Sequence, residues 1–147
     1  MKLIALDYGS KTVGVAQADE LGLLASPLET IFRKEEGKLR KTYARIEEIC
    51  KETGAGGVVV GLPVNMDGSE SARAGMAREF ASAVERRTGL KVVLWDERLT
   101  TVEAEEILRE KGIPRQDFKK TIDAVAAAII LQDYLDNGLN RESEKSE

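Results

Sequence analysis

The opening stretch from Met1 to Gln17, MKLIALDYGSKTVGVAQ, restricts the fold more than any other part of the chain. Leu3, Ile4, Ala5 and Leu6 form an unbroken apolar run, the pattern of a strand buried on both faces inside a sheet. Asp7-Tyr8-Gly9-Ser10 interrupts the run, and Val13 to Ala18 resumes an apolar strand so soon that the two must pair antiparallel, as a hairpin. A carboxylate ending a buried strand is costly unless something compensates it. Either Asp7 caps the turn through Gly9-Ser10, or it is held there because a cation or substrate requires fixed negative charge at the edge of the sheet.

The remaining elements decide what surrounds that hairpin. Leu28 to Phe32, after Ser26-Pro27, reads as a third strand, and Leu39, Tyr43, Ile46 and Cys50 form the apolar stripe of a helix over residues 35–52 that Gly54 should stop. Val58-Val59-Val60 is a short apolar strand, and the preceding helix allows it to run parallel to the first. A loop from Gly61 to Glu70, ending in N-cap residues, leads to a helix with Ala72, Met76, Phe80, Ala83 and Val84 on one face. Val92 to Trp95 is the fifth strand and ends in Asp96-Glu97-Arg98. Thr100 with Glu103 makes a capping box for a short helix to Lys111, which Gly112-Ile113-Pro114 breaks. The last helix spans residues 118–137 with Ile122, Ala126, Ile129 and Leu135 inward, and residues 138–147 form a polar tail. The order predicts an α/β fold, a five-stranded mixed sheet flanked by helices, with strands one, four and five parallel at its centre. Their carboxyl ends, where open α/β sheets bind ligands, carry Asp7, the Gly61 loop and Asp96-Glu97.

Composition narrows the chemistry. The chain of 147 residues contains no histidine and one cysteine, Cys50, which removes imidazole bases, Ser-His-Asp triads and thiolate metal clusters. No apolar run reaches the roughly 20 residues of a membrane span, and Asp7 interrupts any secretory core, so a cytoplasmic protein is expected with no membrane partner. The net charge of -4 does not exclude a polyanion, because Arg98, Arg115, Lys119 and Lys120 gather away from the acidic tail.

Asp7, the Asp96-Glu97 pair and Asp123, which interrupts an alanine-rich helix, are the three acidic positions to account for. Carboxylates brought together raise one another's pKa and call for a counter-charge. Mg²⁺ or Mn²⁺ suits such oxygen donors, and two ions about 3.5–4 Å apart can activate a water and stabilise a leaving phosphate oxygen. Arg98, Lys119 and Lys120 stand next to these acids in sequence as phosphate-holding cations, or else as solubilising partners. Asn65 and the helix start after Ser69 are a further candidate phosphate contact.

Four blocks in order, Asp7-Tyr8-Gly9 with Val13-Gly14-Val15-Ala16, Gly61-Leu62-Pro63 with Met66-Asp67-Gly68-Ser69-Glu70, Asp96 to Thr101 with Ala104-Glu105, and Asp123 with Ala126-Ala127-Ile130-Leu131-Gln132, carry a resemblance. The sequence resembles the Holliday-junction-resolvase-like family of pre-16S rRNA nucleases, a branch of the ribonuclease-H-like superfamily, over nearly its whole length. The resemblance implies a ribonuclease-H-like domain over residues 1–137. It also implies Asp7, Glu97 and Asp123 as catalytic and metal-binding acids, and action on a ribosomal precursor, RNA ahead of DNA, by a monomer or homodimer. Thr12 stands where family members usually carry arginine, and Ser71 where they usually carry glycine. A two-lobed phosphotransferase also uses an Asp-x-Gly-Ser turn but needs a second copy of the fold. The rival reading is a non-catalytic module that binds structured RNA or a ribosomal precursor through the same edge, and the three acids discriminate against it because without metal they repel phosphates. DNA-junction cleavage is a sub-case of the nuclease reading.

Overall fold

The computed structural model describes residues 1–97, 106, 109, 110, 112 and 118–138, the side chains of 118–121 excepted. Five strands, β1 (Leu3–Tyr8), β2 (Thr12–Ala18), β3 (Ala25–Phe32), β4 (Gly57–Leu62) and β5 (Lys91–Asp96), form one sheet in the order β3-β2-β1-β4-β5. The short Gly9 turn makes β1 and β2 antiparallel, and β3 continues the meander. Helix α1 (Arg40–Thr53) carries the chain over to β4, which is parallel to β1, and α2 (Ala72–Thr88) carries it on to β5, parallel to β4. Helix α3 (Phe118–Asp133) ends in a single π-helical turn, Tyr134–Gly138. None of the described helices is long and apolar enough to cross a membrane.

Several boundaries differ from the sequence expectation, each for a local reason. β1 runs on through Asp7 to Tyr8, so Asp7 sits inside the ladder rather than after it. β3 begins at Ala25 and includes Pro27, which an outer strand tolerates because its missing N–H takes no ladder bond; the register slips beside it, between Val15 and Ala16. β5 is the other outer strand, so it is not central as the element order suggested. Helix α1 starts at Arg40 rather than Glu35, because residues 35–38 close a turn of their own and Glu36 is engaged by Arg33 and Arg73. Gly54, at φ 69°, stops α1 as expected. Helix α2 buries Ala74, Ala77 and Ala81 along with Phe80 and Val84, whereas Ala72 is exposed. On α3, Ala127, Ile130 and Leu131 point inward, and Ile122 and Ile129 are only partly covered.

Alternation along the strands creates two cores. Ile4, Leu6 and Tyr8 of β1 join Val58, Val60, Ile46, Ile49 and Phe80 beneath α1 and α2. Leu3 and Ala5 join Ala16, Ala18, Val59, Trp95 and the inward face of α3. By the same period of two, Asp7, Gly14, Gly61 and Trp95 fall on the α3 side.

Candidate active site

Gly14 lies directly opposite Asp7 in the β1–β2 register. A Cβ at Gly14 would run into the main-chain carbonyl of Asp123 and the amide nitrogen of Ala124, so only glycine lets the α3 backbone descend onto β2 here. The buried alanines that follow, Ala124, Ala126, Ala127 and Ala128, keep the helix close to the sheet. The apolar helix that made Asp123 unexpected is thus the means by which its backbone reaches the Asp7 neighbourhood.

Glu97 arrives from the other side. Its N–H donates to the Leu62 carbonyl at 3.2 Å, extending the β4–β5 ladder one residue past β5. A Cβ at Gly61 would meet the Glu97 carboxyl group and Cδ1 of Ile130, so the glutamate side chain lies back across β4 through space that a larger residue would fill. Two glycines, one on each neighbour of β1, therefore admit the two partners of Asp7.

The carboxyl groups of Asp7 and Glu97 share a hydrogen bond, with the Glu97 O–H donating and the Asp7 carboxylate accepting. Loss of hydration lifts Asp7 from 3.8 to about 6; the bond from Glu97 opposes the rise and the charge of Asp123 adds to it. Asp7 keeps part of its surface open, so this desolvation comes from the protein atoms crowded around it rather than from complete enclosure. Glu97 is pushed up to about 9, first by desolvation, then by the charge and hydrogen bond of Asp7 and by Asp96, while Arg73 pulls it back. Both shifts run toward the protonated forms, so the pair resists full ionisation without a counter-charge. Among the described residues no three acidic side chains are grouped closely enough to share one ion. The donor set nevertheless fits a hard cation: oxygen ligands only, already desolvated, and carrying negative charge that the protein itself only partly offsets.

Asn65, the other described candidate, is exposed in the loop after β4. Its side chain donates to Ser69 Oγ at 3.0 Å and its main-chain N–H to the Ser69 carbonyl at 2.8 Å. Asp67 Oδ1 accepts from the N–H of Ser69 at 2.9 Å and from its hydroxyl at 2.6 Å. These bonds close the loop on itself and do not cap α2, whose N-cap is Ser71 without a side-chain cap bond. Arg98, the Thr100–Glu103 capping box, the side chains of Lys119 and Lys120 and the tail beyond Gly138 lie outside the described residues. Gly112 has φ 73° and donates its N–H to Arg109, the geometry of a helix stop. Sequence reasoning missed Arg33 and Arg73, single arginines in unremarkable contexts that only the fold brings to this edge. Gly14 and Gly61 stand in the sequence motifs without an assigned role, although a glycine opposite Asp7 in a hairpin register is a readable sign of close approach.

The family model described as RuvX, Holliday junction resolvase, matches residues 1–137. A protein of Lachnospira eligens named "Putative pre-16S rRNA nuclease" is 56% identical over 137 residues, covering 93% of this chain and 98% of that protein. One of the same name from Agathobacter rectalis is 48% identical over 143 residues, covering 97% of this chain and all of its own (100%). Among solved structures, Thermus thermophilus RuvC in complex with a Holliday junction substrate superposes with a TM-score of 0.60 at 18% identity, covering 95% of this chain and 96% of that one. The same protein without mention of a substrate gives 0.58 at 19% identity, with coverage of 95% and 97%. The fold is that of RuvC, ribonuclease-H-like.

Proposed function

The chain belongs to the RuvX family of Holliday-junction-resolvase-like nucleases, and from that premise we propose that it is a divalent-metal-dependent phosphodiester hydrolase that acts on the 5′ end of the small-subunit ribosomal RNA precursor in the cytoplasm. The observation that carries the reading is the convergence of Asp7, Glu97 and Asp123 at the carboxyl edge of the parallel strands, Glu97 lying back over Gly61 and the α3 backbone at Asp123 pressed onto Gly14 opposite Asp7. In this reading residues 1–137 are one nuclease domain and residues 138–147 a polar tail.

Asp7, Glu97 and Asp123 would hold Mg²⁺ or Mn²⁺, two ions in the working enzyme, and the bound metal would activate water and stabilise the leaving oxygen. The protein's own contribution is placement. β1 fixes Asp7 in the ladder, the Leu62 carbonyl fixes where Glu97 leaves β5, and the Gly14 contact fixes the height of α3 above the sheet. Desolvation favours the protonated form of Glu97, so binding of a cation there would be accompanied by release of a proton. Arg98, Lys119, Lys120 and Asn65 are the proposed contacts to the substrate backbone.

Cleavage assays on structured RNA, single-stranded RNA and a four-way DNA junction, in Mn²⁺ and in chelator, test this directly. Wild type should cut structured RNA only with metal, and Asp7→Asn should bind but not cut. The junction is included because the family description names a junction resolvase; cutting of the junction in preference to RNA would replace the ribosomal substrate. Cleavage by Asp7→Asn at the wild-type rate, or none by wild type in either metal, would reject the enzyme.

A further inference from the structure

We propose that Arg33 and Arg73 form a grip for one internal phosphodiester of the substrate strand, beside the acid site and separate from it; the inference rests on the nucleic-acid reading above. Arg33 follows the last residue of β3 and Arg73 stands in the first turn of α2, so both reach the edge of the sheet that carries Asp7. Both lie over the ring of Tyr8, the residue after Asp7. The guanidinium carbons of Arg33 and Arg73 are 4.9 Å and 5.5 Å from the centre of its ring.

Two cations over one ring repel unless an anion lies between them. The anion present is Glu36, whose carboxylate is paired with Nη1 of Arg73 and whose main-chain oxygen accepts from Nε of Arg33 at 3.1 Å. Arg33 gives Nη2 to the Gly9 carbonyl at 2.6 Å. Its Nη1 is buried without a hydrogen-bond partner, and among the described residues Arg33 has no carboxylate partner at all. A buried guanidinium donor left unpaired is rare and costly. A phosphodiester taking the place of the Glu36 carboxylate would present one non-bridging oxygen to the Arg73 guanidinium and turn another toward Nη1 of Arg33, the one Arg33 nitrogen that no carbonyl holds.

The neighbouring aromatic residues favour the backbone over a base as the occupant. Tyr8 stacks on Phe80 at 4.5 Å, Phe80 on Tyr43 at 5.7 Å, and Arg87 lies 4.9 Å from the centre of the Tyr43 ring. This column runs from guanidinium to guanidinium, and its ring faces are already covered. The groove of about 630 Å³ beside it therefore offers a base no free ring face. The charge of Arg73 is felt at Glu97, which places the grip within electrostatic reach of the acid pair.

Fluorescence anisotropy with a labelled RNA hairpin, in chelator so that nothing is cut, tests the grip between about 50 and 200 mM salt. Arg73→Ala should weaken binding about tenfold and reduce the slope of log affinity against log salt by about one. Arg33→Lys, which keeps the charge but loses the fork, should weaken binding with the slope nearly unchanged. Glu36→Gln should tighten binding several-fold, a gain that damage to folding cannot imitate, and Lys51→Ala at the far end of α1 should bind as wild type. Hairpins with 5′-phosphate and 5′-hydroxyl ends should suffer alike; a loss confined to the phosphorylated end would overturn the internal contact. If wild type binds the hairpin but Arg73→Ala and Glu36→Gln match it in affinity and slope, the grip is wrong and the nuclease reading stands. If wild type binds neither the hairpin nor a four-way DNA junction, both readings fall.

Discussion

The two faces of the sheet are built from alternate residues of the same strands, and they are packed in opposite styles. Beneath α1 and α2, Ile4, Leu6, Val13, Val15, Ile46, Ile49 and Phe80 fill the space with large side chains. Each such side chain contributes roughly 1.5–3 kcal/mol on burial. Beneath α3 the contact beside Asp7 is made by Gly14, Ala16 and the alanines of the helix; larger residues come in further along it, Ile130 over Gly61 and then Leu131 and Tyr134 with Trp95. Small residues add little hydrophobic stabilisation, but they bring two backbones together. A short aspartate on a helix can approach a strand carboxylate only when nothing larger holds the helix away. One face stabilises the fold; the other gives up burial to set the position of Asp123.

The largest expected effect separates the faces by chemistry. Glu97→Gln keeps the shape and the hydrogen bond to Asp7 but removes the ionisable group, so cleavage should fall by about 10³-fold, roughly 4 kcal/mol in the barrier, while the melting temperature stays level or rises. Metal-dependent turnover and thermal melting measured together check this, and a cleavage rate within tenfold of wild type would remove Glu97 from the machinery. Ile46→Ala, on the opposite face, should do the converse: about 3 kcal/mol of stability lost in denaturant titration, with turnover per folded molecule unchanged. Gly14→Ala is the substitution that tests whether the faces are distinct at all. Its Cβ meets backbone that cannot swing aside, so about 2 kcal/mol of stability and most of the cleavage should be lost together. Lost stability with full activity would mean that the close approach is packing alone.

The smallest effect is the pH dependence. Asp7 and Glu97 both have folded pKa values above their unfolded ones, so the folded state binds more protons, and stability falls as pH rises through the window from about 4 toward 6 for Asp7 and 9 for Glu97. The lowered carboxyls of Asp19, Glu29 and Glu70 act in the opposite sense, adding stability as pH rises through the ordinary carboxylate range, so the measurement is made above that range. Between about pH 5.5 and 8 in chelator, with solvent screening of a partly open site, the loss should be about 1 kcal/mol, a few degrees in melting temperature. Glu97→Gln should remove most of it. A melting temperature that is flat or rising over this range would show that the pair is not desolvated.

The order of strands and helices was legible because hydrophobic period and glycine stops are local signals: Val58 to Val60, the Gly54 stop and the Asp7 hairpin all stand where periodicity put them. Asp7 and Asp123 stand out as charge in apolar settings and the Asp96-Glu97 pair as acids ending a strand, whereas the choice of Glu97 over Asp96 comes only from the family resemblance. What could not be read was anything set by the approach of distant segments. The start of α1 moved because Arg33 and Arg73 hold Glu36, residues up to 37 positions apart in sequence. The inward face of α3 rotated toward Ala127 and Ile130 because Gly14 and Gly61, on two different strands, decide where the helix rests. Asn65 has a partner in its own loop, which no spacing rule would have revealed.

The distal end of α3 is bolted down. Trp95 Nε1 donates to Asp133 Oδ2 at 2.6 Å, its ring meets Tyr134 edge-on at 5.5 Å, and Gln132 accepts from the Ala25 N–H at 2.9 Å while donating to the Leu23 carbonyl at 2.9 Å. Asp123 lies ten residues up the helix from Asp133, an arm of about 15 Å, so a tilt of roughly 4° about the fixed end would carry it about 1 Å, a misplacement that can cost about a hundredfold in rate. The pivot carries its own lamp, since Trp95 is the only tryptophan in the chain. Its emission therefore reports the seating of the lever without any added label.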